Sequence, residues 1–116
     1  MRLLALTVAA ATLAIAYDIA ADQATCAGKK HGHNAVAAIQ QFCAKTDMVV
    51  PSDYASTGAT HGGARAFITS KCNPPQWVPA YWCEAQFYNL CATSELGIAG
   101  TLRFGTDGCQ YFSIAQ

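Results

Sequence analysis

The chain has 116 residues, 53% hydrophobic and only 12% charged, with seven Lys and Arg against seven Asp and Glu. That length suits one domain, and so even a balance draws neither nucleic acid nor an anionic membrane by bulk attraction. Six cysteines, Cys26, Cys43, Cys72, Cys83, Cys91 and Cys109, include no C-x-x-C pair, which argues against a zinc site and for three disulfides in an exported chain.

In chain order, Arg2 gives a short positive start, Leu3 to Ile15 is apolar and uncharged, and Ala14-Ile15-Ala16 forms an A-x-A cleavage pattern. Residues 1–16 therefore read as a secretory signal peptide, too short to span a bilayer. No later stretch is apolar enough to anchor the chain, so stable membrane insertion is not expected. The mature domain, residues 17–116, begins near Tyr17 with six Lys and Arg against seven Asp and Glu. A core built from about 100 residues is marginal without reinforcement, and disulfides would supply it.

The first predicted element is a short strand around Ala24 to Cys26, ended by Gly28 and the polar run Lys29-Lys30-His31-Gly32-His33. A helix then starts at Asn34, a suitable N-cap, with Val36, Ile39, Phe42 and Cys43 on one face. Met48 to Val50 reads as a short strand stopped by Pro51, and 51–63 as a long surface loop. Ala64 to Cys72 alternates as a strand, with Phe67 and Thr69 on one side and Ala66, Ile68 and Ser70 on the other; Asn73-Pro74-Pro75 ends it. A second helix takes Pro79 as its first position and exits at Gly97. Its core face is Cys83, Phe87, Leu90 and Cys91, which turns Tyr81 and Tyr88 outward, near Glu84 and Ala85. Thr101 to Ala115 is a hairpin turning at Gly105-Thr106-Asp107-Gly108.

The expected fold is α+β: a small disulfide-stapled sheet of about four to five strands with two helices packed on it. Cys83 and Cys91 lie about 12 Å apart along one helix, beyond the about 7 Å that a bridge spans, so they do not pair. Cys91 with Cys109 is the preferred bridge, tying the helix end to the closing hairpin, with Cys26 and Cys43 sharing Cys72 and Cys83.

The Ala-rich leader, Phe42-Cys43 at a helix end, the run Cys83-Glu84-Ala85-Gln86-Phe87-Tyr88-Asn89-Leu90-Cys91 and the terminal Gly108-Cys109-Gln110-Tyr111-Phe112 strand carry a resemblance. The chain resembles the small secreted cysteine-rich, effector-like proteins of filamentous fungi, and is similar to the compact α/β folds of fungal killer toxins and of a fungal glycan-binding family. The resemblance implies an extracellular protein that recognises a molecule of a host or competitor. No catalytic residue carries over from it.

The leading functional reading is a non-catalytic, monomeric binding module without cofactor or metal, acting on a host or competitor protein or glycan. Its contact surface would be Trp77, Tyr81, Trp82 and Tyr88, since Tyr and Trp bring large contact area at low entropic cost. The alternative is packing, with the tryptophans covering the second helix and the tyrosines lying under 51–63. An enzymatic reading gathers His61, Arg65 and Glu84, with His31 or His33, as acid, phosphate clamp and base of a small ribonuclease-type hydrolase. Nothing in their spacing brings them together. His31-Gly32-His33 offers two imidazoles to a metal, and two ligands are not a site. Lys29-Lys30 suits a processing protease, but cutting there would leave five cysteines. A toxin or protease inhibitor acting through 51–63 is the remaining class; the lack of a basic amphipathic helix argues against membrane lysis.

Overall fold

The computed structural model describes residues 17–116, so the leader read at residues 1–16 lies outside the described residues. The elements are α1 (Ile19–Ala27), α2 (Gly32–Cys43), β1 (Val49–Val50), α3 (Asp53–Thr57), β2 (Ala59–His61), β3 (Ala64–Ser70), β4 (Gln76–Trp77), α4 (Ala80–Thr93), β5 (Gly100–Phe104) and β6 (Gln110–Ala115). The class is α+β. A four-stranded antiparallel sheet runs β2-β3-β6-β5, and β1 and β4 form a separate two-stranded ribbon.

The chain opens with a helix, where a strand was expected around Ala24 to Cys26. Asp18 starts it, its carboxylate accepting from the Ala21 amide at 3.0 Å, which satisfies one of the free N–H groups of a helix start. The segment that follows is rich in alanine, the strongest helix former, and Gly28 ends it. Helix α2 begins two residues before Asn34, at Gly32, with His31 left-handed at φ 63° as its cap. A Cβ on Gly32 would stand 2.0 Å from the Cys26 carbonyl oxygen, so the glycine is what lets α2 start against the last turn of α1. Asn34 is a tie rather than a cap: its Nδ2 donates to Gly62 O at 3.1 Å, joining α2 to the β2–β3 turn.

Residues 51–63, expected as a loop, hold α3 and β2. Ser52 caps α3 by accepting from the Ala55 amide at 3.2 Å, and β2 pairs with β3 through Ala59↔Ala66 and His61↔Ala64. The alternation expected on β3 holds, with Ala64, Ala66 and Ile68 buried towards the helices. Strand β6 is central, pairing Ile68↔Phe112 on one side and Leu102↔Phe112 on the other. Helices α2 and α4 cover this face of the sheet. Aromatic rings run through the layer between them: Tyr54 stacks on Phe42 at 5.4 Å, Phe42 meets Phe87 at 5.6 Å, and Phe87, Phe112 and Phe104 continue at 4.7 and 5.0 Å. Ring pairs at such spacings stabilise a core beyond their buried area.

Pro79 is the N-cap of α4, one residue ahead of the helix, and Ser94 is its C-cap, three residues before Gly97. The expected core residues Cys83, Phe87, Leu90 and Cys91 are buried, and so are Ala85 and Tyr88. Tyr88, read as outward-facing, is 1% exposed. The reason is layering: α4 has the sheet on one side and α1 and α2 on others, so more than one face is core.

The bridges are Cys26–Cys91, Cys43–Cys83 and Cys72–Cys109. Cys83 and Cys91 indeed take separate partners, but the expected Cys91–Cys109 bridge does not form. Helix α1 lies on α4 and brings Cys26 to Cys91, while Cys109, at the start of β6, faces the end of β3, where the Lys71 amide donates to Cys109 O at 2.9 Å. The cysteines of α4 therefore staple the helices to each other, and the third bridge closes the sheet.

Candidate functional site: an aromatic cleft at the start of α4

Three large aromatic side chains stand out of the surface where β4 leads into α4. Trp77 is 62% exposed, Tyr81 54% and Trp82 43%, although side chains of this kind are usually sheltered. They are ordered by their neighbours. The Trp77 indole N–H donates to Thr46 O at 2.9 Å, which fixes the ring on the β1–β4 ribbon beside half-exposed Val49, its register partner. Trp82 stands edge-on to Tyr81 at 5.0 Å and to Tyr17 at 6.1 Å. Tyr17 has no signal in the sequence, because an aromatic just ahead of the first element belongs to no periodic pattern.

Trp77 and Trp82 line a cleft of about 260 Å³, with Val78 and Pro79 between them in the chain and Gln86, Gly105 and Gln110 completing the lining. Gln110 is buried; its Nε2 donates to Gln76 Oε1 at 3.0 Å, and the Thr106 amide reaches the same oxygen at 3.4 Å. This network pins the β5–β6 turn beside the cleft. Gly105 permits the approach: it sits at φ +79°, and a Cβ there would meet Gln76 Oε1 at 2.7 Å and the Gln110 side chain at 2.8 Å. The cleft thus joins apolar rings to a small number of amide groups, the composition of an orienting binding site. Gln86 and Gln110 went unread in the sequence because they are placed by pairing across the fold, not by spacing.

Of the four aromatic residues expected to form the surface, Trp77, Tyr81 and Trp82 lie at one edge, and Tyr88 does not reach it. The Tyr88 phenol is pushed up to about 12, first by burial, then by the Glu84 carboxylate one turn earlier, against a hydrogen bond with Gln40 of α2. It is a packing residue, neutral at ordinary pH.

The residues of the ribonuclease-type reading are not brought together. In the β2–β3 hairpin His61 pairs with Ala64 and Arg65 with Thr60, so His61 and Arg65 project to opposite faces of the sheet. His61 Nδ1 lies 3.4 Å from Asn34 Oδ1, Arg65 donates to Ser56 O and Thr57 O at 2.6 and 3.0 Å, and Glu84 belongs to α4. His31 and His33 are exposed at the start of α2, and among the described residues no three His, Cys, Asp or Glu gather to hold a metal. Lys29 of the dibasic pair is engaged, its ammonium donating to Cys91 O, Ser94 O and Gly97 O at 2.6, 2.9 and 2.9 Å. Among the described residues no helix is long and apolar enough to cross a membrane.

Comparison with protein families, with curated proteins and with solved structures finds no match for the chain. The cleft's own geometry carries the functional reading.

Proposed function

We propose that the protein is a secreted, non-catalytic, effector-like binding protein of fungal type, acting outside the producing cell on a glycan of a host or competitor. The supporting observation is the cleft between Trp77 and Trp82, with its rings held by a backbone hydrogen bond and by edge contacts before any ligand arrives. Rigid rings suit the flat C–H faces of β-linked pyranoses, and ordering them beforehand lowers the entropic cost of binding. Gln86 and Gln110 supply the amide groups that would orient sugar hydroxyls. Three closed disulfides in a domain of this size support life in an oxidising, protease-rich space.

Binding of the mature protein to immobilised neutral glycans, with Trp77→Ala beside it, tests the reading. Capture of at least one glycan class by the native chain, weakened about tenfold or more in the variant, is the expected result for loss of a hot-spot aromatic. Capture that the variant retains in full would sink it.

A further inference from the structure

The face of the sheet turned away from α2 and α4, bordered by α3 beside β3, is a second surface with different chemistry. Strand alternation places Arg65, Phe67 and Thr69 on it from β3, Tyr111 and the buried Ser113 from β6, and Thr101 and Arg103 from β5, as the pairings Phe67↔Ser113, Thr69↔Tyr111, Thr101↔Ser113 and Arg103↔Tyr111 require, and Lys71, just past β3, reaches over the Tyr111 ring. Three of the six Lys and Arg in residues 17–116 stand here, and no Asp or Glu occupies a position on this face. The remaining cations are Lys29, held by carbonyls, Lys45, paired with Asp47 at 3.0 Å, and exposed Lys30. The flanking carboxylates are Asp107, in the β5–β6 turn, and Asp53, at the start of α3. Half of the cations of residues 17–116 thus share a face that carries no acid.

The cations are positioned. Arg65 lies 3.9 Å over the Phe67 ring and is braced by the Ser56 and Thr57 carbonyls. Arg103 lies 4.9 Å over Tyr111 with its Nε donating to Gly108 O at 2.9 Å, and Lys71 lies 6.0 Å over the same ring. At about 3.4 Å per residue and about 4.8 Å between strands, Arg65 and Lys71 are about 20 Å apart and Arg103 is about 10 Å across from β3. Between them are hydroxyls, including the Thr101–Ser113 pair at 2.9 Å.

From this charge pattern we propose that the open sheet face binds an acidic polysaccharide, a linear glycan whose sugars bear carboxylates. Cations about 10 and about 20 Å apart reach carboxylates several sugars apart along one linear polymer, and the exposed Thr69 and Thr101 hydroxyls between them match its neutral groups. One observation disfavours single-stranded nucleic acid: base stacking needs free ring faces, and both rings here already carry a cation. This surface lies on the far side of the sheet from the Trp77–Trp82 cleft, so the two readings stand or fall separately.

The test is a calorimetric titration of the mature protein with polygalacturonate and with its fully methyl-esterified, uncharged form. Poly(dT) and phosphatidylserine vesicles serve as the other polyanions. Polygalacturonate should bind, weaken as salt rises, and weaken about tenfold in the double variant Lys71→Gln/Arg103→Gln, while the ester does not bind. Lys30→Gln, which removes one charge elsewhere, should leave the affinity unchanged. The proposal is overturned if polygalacturonate fails to bind, if the ester binds equally, if Lys30→Gln costs as much as the double variant, or if poly(dT) or the vesicles bind more tightly.

Discussion

Tyr81 and Tyr88 are seven residues apart on α4, about 20° from each other around its axis, yet one is exposed and the other is buried. Tyr81 belongs to the first turn of the helix, whereas Tyr88 lies mid-helix, where α1 and α2 pack on α4. Because the folded protein holds the Tyr88 proton up to about 12 and an unfolded tyrosine ionises near 10, the unfolded state loses the proton first as pH rises. Stability is therefore undiminished below about pH 10 and falls through the interval up to about 12, by about 1.4 kcal/mol at about pH 11. Urea unfolding of the native chain should show this extra alkaline loss, and Tyr88→Phe should lack it. Lys29 makes a second residue-scale prediction. Its ammonium satisfies three carbonyls at the end of α4, where a cation also meets the negative end of the helix dipole. Lys29→Met keeps the stem and removes the donors, and should lower the unfolding free energy by about 1–3 kcal/mol.

At the scale of elements, α1 is tied to α4 by Cys26–Cys91, which closes a separation of 65 residues. A loop of that length makes the bridge worth about 4 kcal/mol on chain entropy, so the double variant Cys26→Ser/Cys91→Ser should lose about 2–4 kcal/mol in thermal or urea unfolding. The bridge also shows where sequence reasoning stopped. Strand β3 and the β5–β6 hairpin were legible because two-residue alternation and the Gly105 to Gly108 turn are local signals. Helix α4 was legible between its Pro and Gly boundaries, and the eight-residue spacing was enough to separate Cys83 from Cys91. Helix α1 was not, since Asp18 as its cap stands well before Ala24, where a strand was sought. With the α1 segment read as a strand, Cys91 has no helix neighbour and Cys109 is the nearest candidate; the helix brings Cys26 to Cys91 instead. Tyr88 failed for a related reason: one apolar arc describes a helix with one covered side, and α4 is covered on several. Of the site, the exposed aromatics of the Trp77 to Trp82 segment were legible by type. Tyr17, Gln86 and Gln110 join it only through contacts distant in sequence.

Across the whole molecule, the three disulfides and the aromatic layer hold a small α+β domain that offers two unlike surfaces. One is an apolar cleft with a few amides, beside the start of α4; the other is the cationic open face of the sheet. The cleft is the centre of the functional account, and the chain supplies its own reporter, since Trp77 and Trp82 are its only two tryptophans and both line it. Tryptophan fluorescence of the native protein should therefore change saturably on titration with at least one of chitohexaose, cellohexaose or laminarihexaose, and the affinity should fall about tenfold in Trp77→Ala, which keeps Trp82 as the reporter. Fluorescence that stays constant across all three sugars, in a protein shown by mass spectrometry to hold its three disulfides, would contradict the account.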